Sequence, residues 1–278
     1  MASTTTSTLD DLFTSIVREA IFTAQESSLV RNLVTTYDIS GDDGKAIQVP
    51  VYPEVSAAGL TEGTDMSSTA VSTTSVTITA AEVGVQAVLT DLAARSSSRD
   101  IAGDLGKVLG EGIAKKMDED LIALFDGFST SVGSAGTELI ASHIFSAAAR
   151  LDNSNAPGQK CMVIHPYQAY NLKANLTNTF ANPNGGDLQN EAMRNGYVGT
   201  IAGVDIFESA NISRDGSDDA KGAVFVPQAL GLAIKWDINM EPQRDASLRA
   251  WELNATACYG VAELKDDYGI EMYFDADL

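Results

Sequence analysis

Hydrophobic positions along the chain change period twice. Near the N-terminus Leu9, Leu12, Phe13, Ile16, Val17, Ala20 and Ile21 recur at steps of three and four, which predicts a short amphipathic helix with Asp10 and Asp11 in its first turn. Ser27 to Thr36 then reads as an extended link, so this region looks like an arm that must lie on another surface. From Ala46 to Thr90 the period drops to two. Ile47, Val49 and Val51 alternate, and Pro50 and Pro53 confine that strand to an edge. Alternation resumes at Val76, Ile78 and Ala80, then shifts parity to Val83, Val85, Ala87 and Leu89, which predicts a bulge or twist near Glu82. The pattern is a long two-stranded hairpin with a polar tip of roughly 20 residues, far above the usual two to five. A ribbon of this kind is marginal alone in water and needs a further surface, the simplest being a neighbouring copy.

Between Ser98 and Gly127 the period returns to 3.6. Ile101, Leu105, Val108, Leu109, Ile113, Met117, Leu121, Leu124 and Phe125 form one apolar stripe on a helix roughly 40 Å long. Ser98 is placed to cap it, Asp100 and Asp104 suit its first turns, and Gly127 suits a left-handed stop. Gly103, Gly106, Gly110 and Gly112 lie inside, each costing about 1 kcal/mol against alanine. Gly106 and Gly110 share a face, which predicts close approach of a sheet or a second chain. Asp118, Glu119 and Asp120 have the wrong sign for a helix C-terminus. They read first as a solvated acidic face, and alternatively as a patch for a partner bearing basic groups.

Further on, a helix is expected around Ile144 to Leu151, a strand at Cys161 to Ile164, and a helix beginning at His165–Pro166. Residues 178–196 form a long polar segment. The last third is β-rich, with strands over Val198 to Phe207, Ala223 to Val226, Leu230 to Trp236, Leu248 to Val261 and Ile270 to Phe274. No repeat and no clean linker appears, so the subdomains should interleave.

Composition narrows the function. The 278 residues carry a formal net charge of −20, from 38 acids against 18 bases, which argues against gripping nucleic acid through phosphate contacts. Cys161 and Cys258 lie among apolar residues and are expected as buried free thiols. The opening MASTTTSTLDD lacks the basic and apolar regions of a signal peptide, and Gly222 to Ile234 is too short to span a bilayer. A soluble chain made in the cytoplasm is the expectation, and the sequons at Asn175, Asn211 and Asn254 then carry no weight.

The chain carries little recognisable catalytic chemistry. His143 and His165 are the only histidines, and His165 stands at a strand-to-helix junction where an imidazole caps or packs. No nucleophile-elbow, phosphate-loop or dinucleotide fingerprint occurs. Asp38 to Gly44 imitates a calcium loop, but its glycine falls one place late and position twelve is Val49. Ser213 to Gly222 reads as a solvated hairpin turn ahead of an ion site. No catalytic residue, cofactor-binding residue, metal ligand or cofactor is therefore assigned.

The order of arm, long hairpin, spine-like helix, α/β segment and returning strands resembles the major capsid protein of tailed bacteriophages, the Hong Kong 97-type fold. The likeness rests on Glu62–Gly63 followed by a Ser/Thr run, on SVTITAAEVGVQAVLTDLAARSS, KMDEDLIALFDG, VIHPYQAYNLKAN and YVGTIAGVDIFESANI, and on the closing AVFVPQALGLAIKW and LRAWELNATACYGVAELKDDYGIEMY. It implies an α+β chain with an N-terminal arm (1–45), an extended β-hairpin loop (46–96), a peripheral domain with the spine helix (97–138 and 237–262) and an axial domain (139–236 and 263–278). The implied role is structural and not enzymatic. The chain would self-assemble as hexamers and pentamers into an icosahedral head, built in the host bacterial cytoplasm, that encloses double-stranded DNA without reading its sequence. Portal and decoration proteins would be partners, and no membrane is involved. A short arm implies a separate scaffolding protein. Some members of the fold lock neighbours by an isopeptide bond from a hairpin lysine; this chain has no lysine between Lys45 and Lys107. The alternatives are an encapsulin-like nanocompartment shell, an acidic extracellular binding module, or a hydrolase using His165 or Asp118 to Asp120.

Overall fold

The computed structural model describes residues 28–277 except 42–43, 54, 56, 58, 64, 66–67, 69, 93–100 and 180–198. The expected helix over Leu9 to Ile21, the Ser98 cap and almost all of segment 178–196 lie outside these residues. In chain order the elements are β1 (Thr35–Asp38), β2 (Ala46–Val51), β3 (Thr74–Thr79), β4 (Ala81–Thr90), α1 (Ile101–Ile122), β5 (Ser131–Gly133), α2 (Ala141–Asn153), β6 (Lys160–Ile164), α3 (Pro166–Thr179), β7 (Thr200–Ile201), β8 (Val204–Glu208), β9 (Asp219–Phe225), β10 (Leu230–Asp245), β11 (Ala250–Glu263) and β12 (Gly269–Asp275). They form a four-stranded sheet β1-β10-β11-β4, a six-stranded sheet β5-β12-β9-β6-β8-β7, and a separate ribbon β2-β3.

The long helix packs on the four-stranded sheet. Leu109, Ile113, Met117, Leu121 and, just past the helix, Phe125 are buried against Leu230, Leu232 and Met240 of β10 and Leu253, Ala255 and Ala257 of β11. Each such aliphatic or aromatic side chain contributes about 1.5–3 kcal/mol by leaving water. The stripe is rotated from its expected position. Val108 is 61 % exposed, while Gly106, Gly110, Ala114 and Asp118 are buried. These four recur at every fourth residue, so they line one edge of the large side chains. The stop also differs from expectation. The α-helix tightens into a 3-10 turn over Ala123–Gly127, and the chain leaves through Phe128 in extended conformation. Gly127 is not among the residues with positive φ.

Two further expectations are corrected. The parity shift at Ala80 to Glu82 is not a bulge within one long strand. It marks the point where the chain leaves the ribbon, since β3 pairs with β2 whereas β4 pairs with β11 from Tyr259↔Ala81 to Ala250↔Thr90. The link over Ser27 to Thr36 is not extended throughout. Val30–Leu33 is a 3-10 turn, and Thr35–Asp38 runs parallel to Gly231–Ile234 of β10. Val30, Val34 and Ile39 are buried in the subunit's own core, so the described part of the expected arm is built into the body.

Strand β10 runs nine residues beyond Trp236, where the sequence pattern loses its alternation. It takes six steps between the pairs Ile234↔Tyr259 and Met240↔Ala255, where β11 takes four, and this irregularity hides the period. Pro242 is tolerated because β1 covers only Gly231–Ile234, leaving that half of β10 at the sheet edge. The strand also crosses the 236/237 division between the expected domains.

The six-stranded sheet has its own core. Ile144, Ala147, Ala148 and Leu151 of α2 and Ala169 and Leu172 of α3 pack on Met162, Ile164, Val224, Met272 and Phe274.

Candidate functional site

The ribbon β2–β3 stands apart from both larger sheets and is largely exposed along its length. It is a two-stranded sheet in register from Ala46↔Thr79 to Val51↔Thr74, with no third strand among the described residues. Its root is fixed. The N–H of Ala80 donates to the Lys45 carbonyl at 2.7 Å, and Ile78 and Ala80 are buried with Ile39, Ala233, Cys258 and Leu264 on the sheet face opposite α1.

Two glycines make that seat possible. A Cβ on Gly260 of β11 would run into the backbone of Thr79, with Ala80 N only 3.1 Å away. One on Gly231 of β10 would stand 2.9 Å from Ile78 Cδ1. The ribbon backbone therefore rests directly on the sheet at its root. Beyond the root support ends. Tyr52 and Leu60 are 64 % and 70 % exposed, and Val55 and Val71 are exposed beside them, on a loop of more than 20 residues between the strands. Large apolar side chains at the far end of a ribbon cost solvation unless another surface covers them.

Among the described residues no catalytic constellation accompanies this. His165 caps α3: its Nδ1 accepts the N–H of Tyr167 at 3.2 Å, and the Gln168 Oε1 accepts the N–H of His165 at 3.2 Å. Burial, then the charge of Arg214, lowers the His165 pKa. His143 Nδ1 accepts the N–H of Ile140 at 3.4 Å, its ring lies 4.7 Å from that of Phe274, and burial lowers its pKa. Cys161 and Cys258 are buried free thiols, as expected. Burial, then Asp205, raises the Cys161 pKa, the opposite of a reactive thiol. Among the described residues no group of three or more His, Cys, Asp or Glu side chains could hold a metal ion. No helix there is long and apolar enough to cross a membrane.

The motifs singled out by sequence fall apart as a site. Asp38 Oδ1 accepts the N–H of Ser40 in a local turn at the end of β1. In Ser213 to Gly222, Asp215 accepts the N–H groups of Ser217 and Asp219, and Arg214 bridges to Ala220 as the base of a hairpin turn. The acidic cluster of α1 is split. Glu119 pairs with Lys115, and Asp120 pairs with Lys116 and accepts the Tyr259 hydroxyl at 2.8 Å. Asp118 is not solvated, as first expected. It is 1 % exposed, and its Oδ2 accepts the N–H of Leu29 at 2.9 Å.

Three residues that position this architecture were missed. Gln168 is fully buried, and its Nε2 donates to Ala220 O at 2.8 Å and Phe274 O at 2.9 Å, tying α3 to β9 and β12. The capping-box spacing from His165 to Gln168 was its one sequence signal. Gly260 lies in an ordinary-looking strand and had none. Lys221 joins the end of the spine to the six-stranded sheet, pairing with Asp126 and with Glu271 at 3.0 Å.

No family model and no curated protein matches the sequence. Solved structures do. A chain of Mycobacterium phage Che8 matches with a TM-score of 0.71 at 20% identity, over 88% of this chain and 91% of that one. The capsid of the cyanophage P-SCSP1u matches at 0.69 and 21% identity, over 90% and 89% of the two chains. The head structure of Helicobacter pylori bacteriophage KHP40 matches at 0.69 and 13% identity, over 90% and 92%. The chain has the Hong Kong 97-type capsid fold. With the fold in place, the α+β architecture anticipated from element order stands, and the exposed ribbon becomes the candidate functional feature of a capsid-fold chain.

Proposed function

We propose that this chain is the major capsid protein of a tailed double-stranded-DNA phage, a structural subunit that assembles with its own copies into an icosahedral head. The observation carrying the proposal is the ribbon. It is rigidly seated at its root by Gly260 and Gly231, yet its far end presents Tyr52, Val55, Leu60 and Val71 to solvent. A subunit in a closed shell buries such a feature on its neighbour. The acidic balance of −20 suits a container that must not adhere to the polyanion inside it.

In this reading α1 with the four-stranded sheet forms the peripheral domain, the six-stranded sheet with α2 and α3 the axial domain, and β2–β3 with its tip the extended loop. Hexamers and pentamers are the building blocks. A separate scaffolding protein, a portal and a decoration protein are the further partners, assembly takes place in the host cytoplasm, and the finished protein resides in the virion. The solved structures of this fold include several phage capsids, which favours a genome-holding head over a nanocompartment.

Electron microscopy of the purified chain, expressed alone and with the scaffolding protein of the same genome, tests the proposal. Shells, sheets or capsomer rings are expected. A monomer that stays monomeric in both preparations at high concentration would overturn it.

A further inference from the structure

Asp118 is the one carboxylate of α1 placed on its buried face, and the cation that acts on it, Arg31, is ion-paired to Asp237 instead. Its Oδ2 accepts the N–H of Leu29 at 2.9 Å, while Oδ1 has no hydrogen-bond partner among the described residues. The hydroxyl of Ser28, 2 % exposed, is likewise unpartnered there. The charged and titratable groups on the elements around it are engaged elsewhere. Arg31, in the 3-10 turn, is bidentate to Asp237 of β10 at 3.3 and 2.8 Å. Tyr259 of β11 donates to Asp120 at 2.8 Å. On α1 itself Lys115 pairs with Glu119 and Lys116 with Asp120.

A buried carboxylate with one oxygen unsatisfied and no paired cation is costly, whereas the neutral acid is better tolerated there. We propose that Asp118 is a proton-set fastener for segment 28–33: as the neutral acid it holds that segment on α1, and its ionisation loosens the attachment. Segment 28–33 would then be held more firmly to α1 as pH falls.

The direction agrees with the local environment. Burial raises the pKa of Asp118 above 3.8, against the lowering effect of the N–H groups of Leu29, Arg31 and Val30 and of the Arg31 charge. The folded chain therefore keeps the proton over a range in which the unfolded segment has lost it. The attachment is strongest below about 3.8 and weakens as pH rises through the raised value.

Hydrogen exchange of the full-length chain, read by mass spectrometry across the weakly acidic to neutral range and corrected for intrinsic rates, tests this. Protection of the 28–34 amides should fall with rising pH, by up to tenfold per unit within the titration window. Amides of β9 and β12 should not share that slope. Asp118→Asn, which cannot ionise, should keep these amides protected with no slope, and Asp118→Ala should leave them poorly protected at every pH. Wild-type protection that is flat with pH, or a slope shared by β9 and β12 or by Asp118→Asn, would overturn the proposal. The test is read on the isolated subunit, so it stands or falls independently of shell assembly.

Discussion

Asp118 Oδ2 and the backbone N–H of Leu29 meet at 2.9 Å across 89 positions of sequence. The contact fixes where the chain enters the subunit, because the turn that follows buries Val30 and leads into β1. Removing the acceptor while the donor stays buried should cost about 1–3 kcal/mol. Asp118→Ala is expected to show a loss of that size in urea unfolding at weakly acidic pH, where the neutral acid holds the segment. A change below about 0.5 kcal/mol, the usual size for surface sites, would mean the N–H finds water.

The stripe of α1 gives a two-sided test. Ile113 is 1 % exposed and Val108 is 61 % exposed, although both fit the hydrophobic period. Ile113→Asp should abolish soluble folding, since an unpaired buried charge costs several kcal/mol. Val108→Asp should fold normally, within about 0.5 kcal/mol of the parent. Equal behaviour of the two variants in solubility and thermal melting would show that the helix is rotated from the position described.

Much of the architecture was legible because it is local. The large residues of the α1 stripe, Pro166 opening α3 and the alternation of β11 all signal through neighbours in sequence. What was not legible depends on long-range placement. Val108 and Gly110 flank Leu109 on opposite sides of the stripe, and only the sheet beneath decides which of them is buried. The parity break at Ala80 to Glu82 was visible, but its meaning, a change of sheet, requires knowing that β11 is the partner of β4. Asp118 reads as one of three surface acids until Leu29 is brought to it.

Two glycines should respond oppositely to alanine. At Gly260 the new methyl would meet the Thr79 backbone, which has no rotamer with which to yield, and overpacking of this kind costs about 1–3 kcal/mol. At Gly112 a Cβ would find nothing within 4 Å, so alanine should stabilise α1 by up to about 1 kcal/mol. Gly260→Ala is expected to lower the melting temperature and hasten proteolysis within the ribbon, whereas Gly112→Ala should raise the melting temperature. A harmless Gly260→Ala would refute the direct seating of the ribbon.

Both histidines should make the subunit sensitive to mild acid. Each uses Nδ1 as an acceptor, from Tyr167 and from Ile140, and burial lowers each pKa below 6.5. A lowered histidine pKa means the unfolded chain binds the proton first. The stability they contribute is present above 6.5 and is lost as pH falls through the lowered values. Unfolding free energy should therefore decline over that range, and the His143→Gln, His165→Asn pair should flatten the decline. An unchanged slope in the double variant would place the acid sensitivity elsewhere.

In the proposed shell, neighbouring subunits would be held without a covalent bond from the ribbon. A covalent bond from the ribbon requires an amine there, and between Lys45 and Lys107 the sequence has none. Lys45 lies at the root, where its carbonyl accepts the Ala80 N–H, and Lys107 belongs to α1, so neither stands on the projecting ribbon. Disulfide linkage is no easier. Cys161 is in β6 and Cys258 in β11, both buried as free thiols. In the proposed shell, contacts made by the ribbon are then expected to be non-covalent, with the exposed Tyr52 and Leu60 supplying apolar area. Assembled particles boiled in detergent without reductant should release a single band near 29.3 kDa. Tyr52→Ser with Leu60→Ser should weaken assembly while leaving the monomer's melting temperature unchanged, because both side chains are exposed within the subunit. A ladder of oligomers resistant to boiling and to reductant would show a covalent lock that this chemistry does not provide.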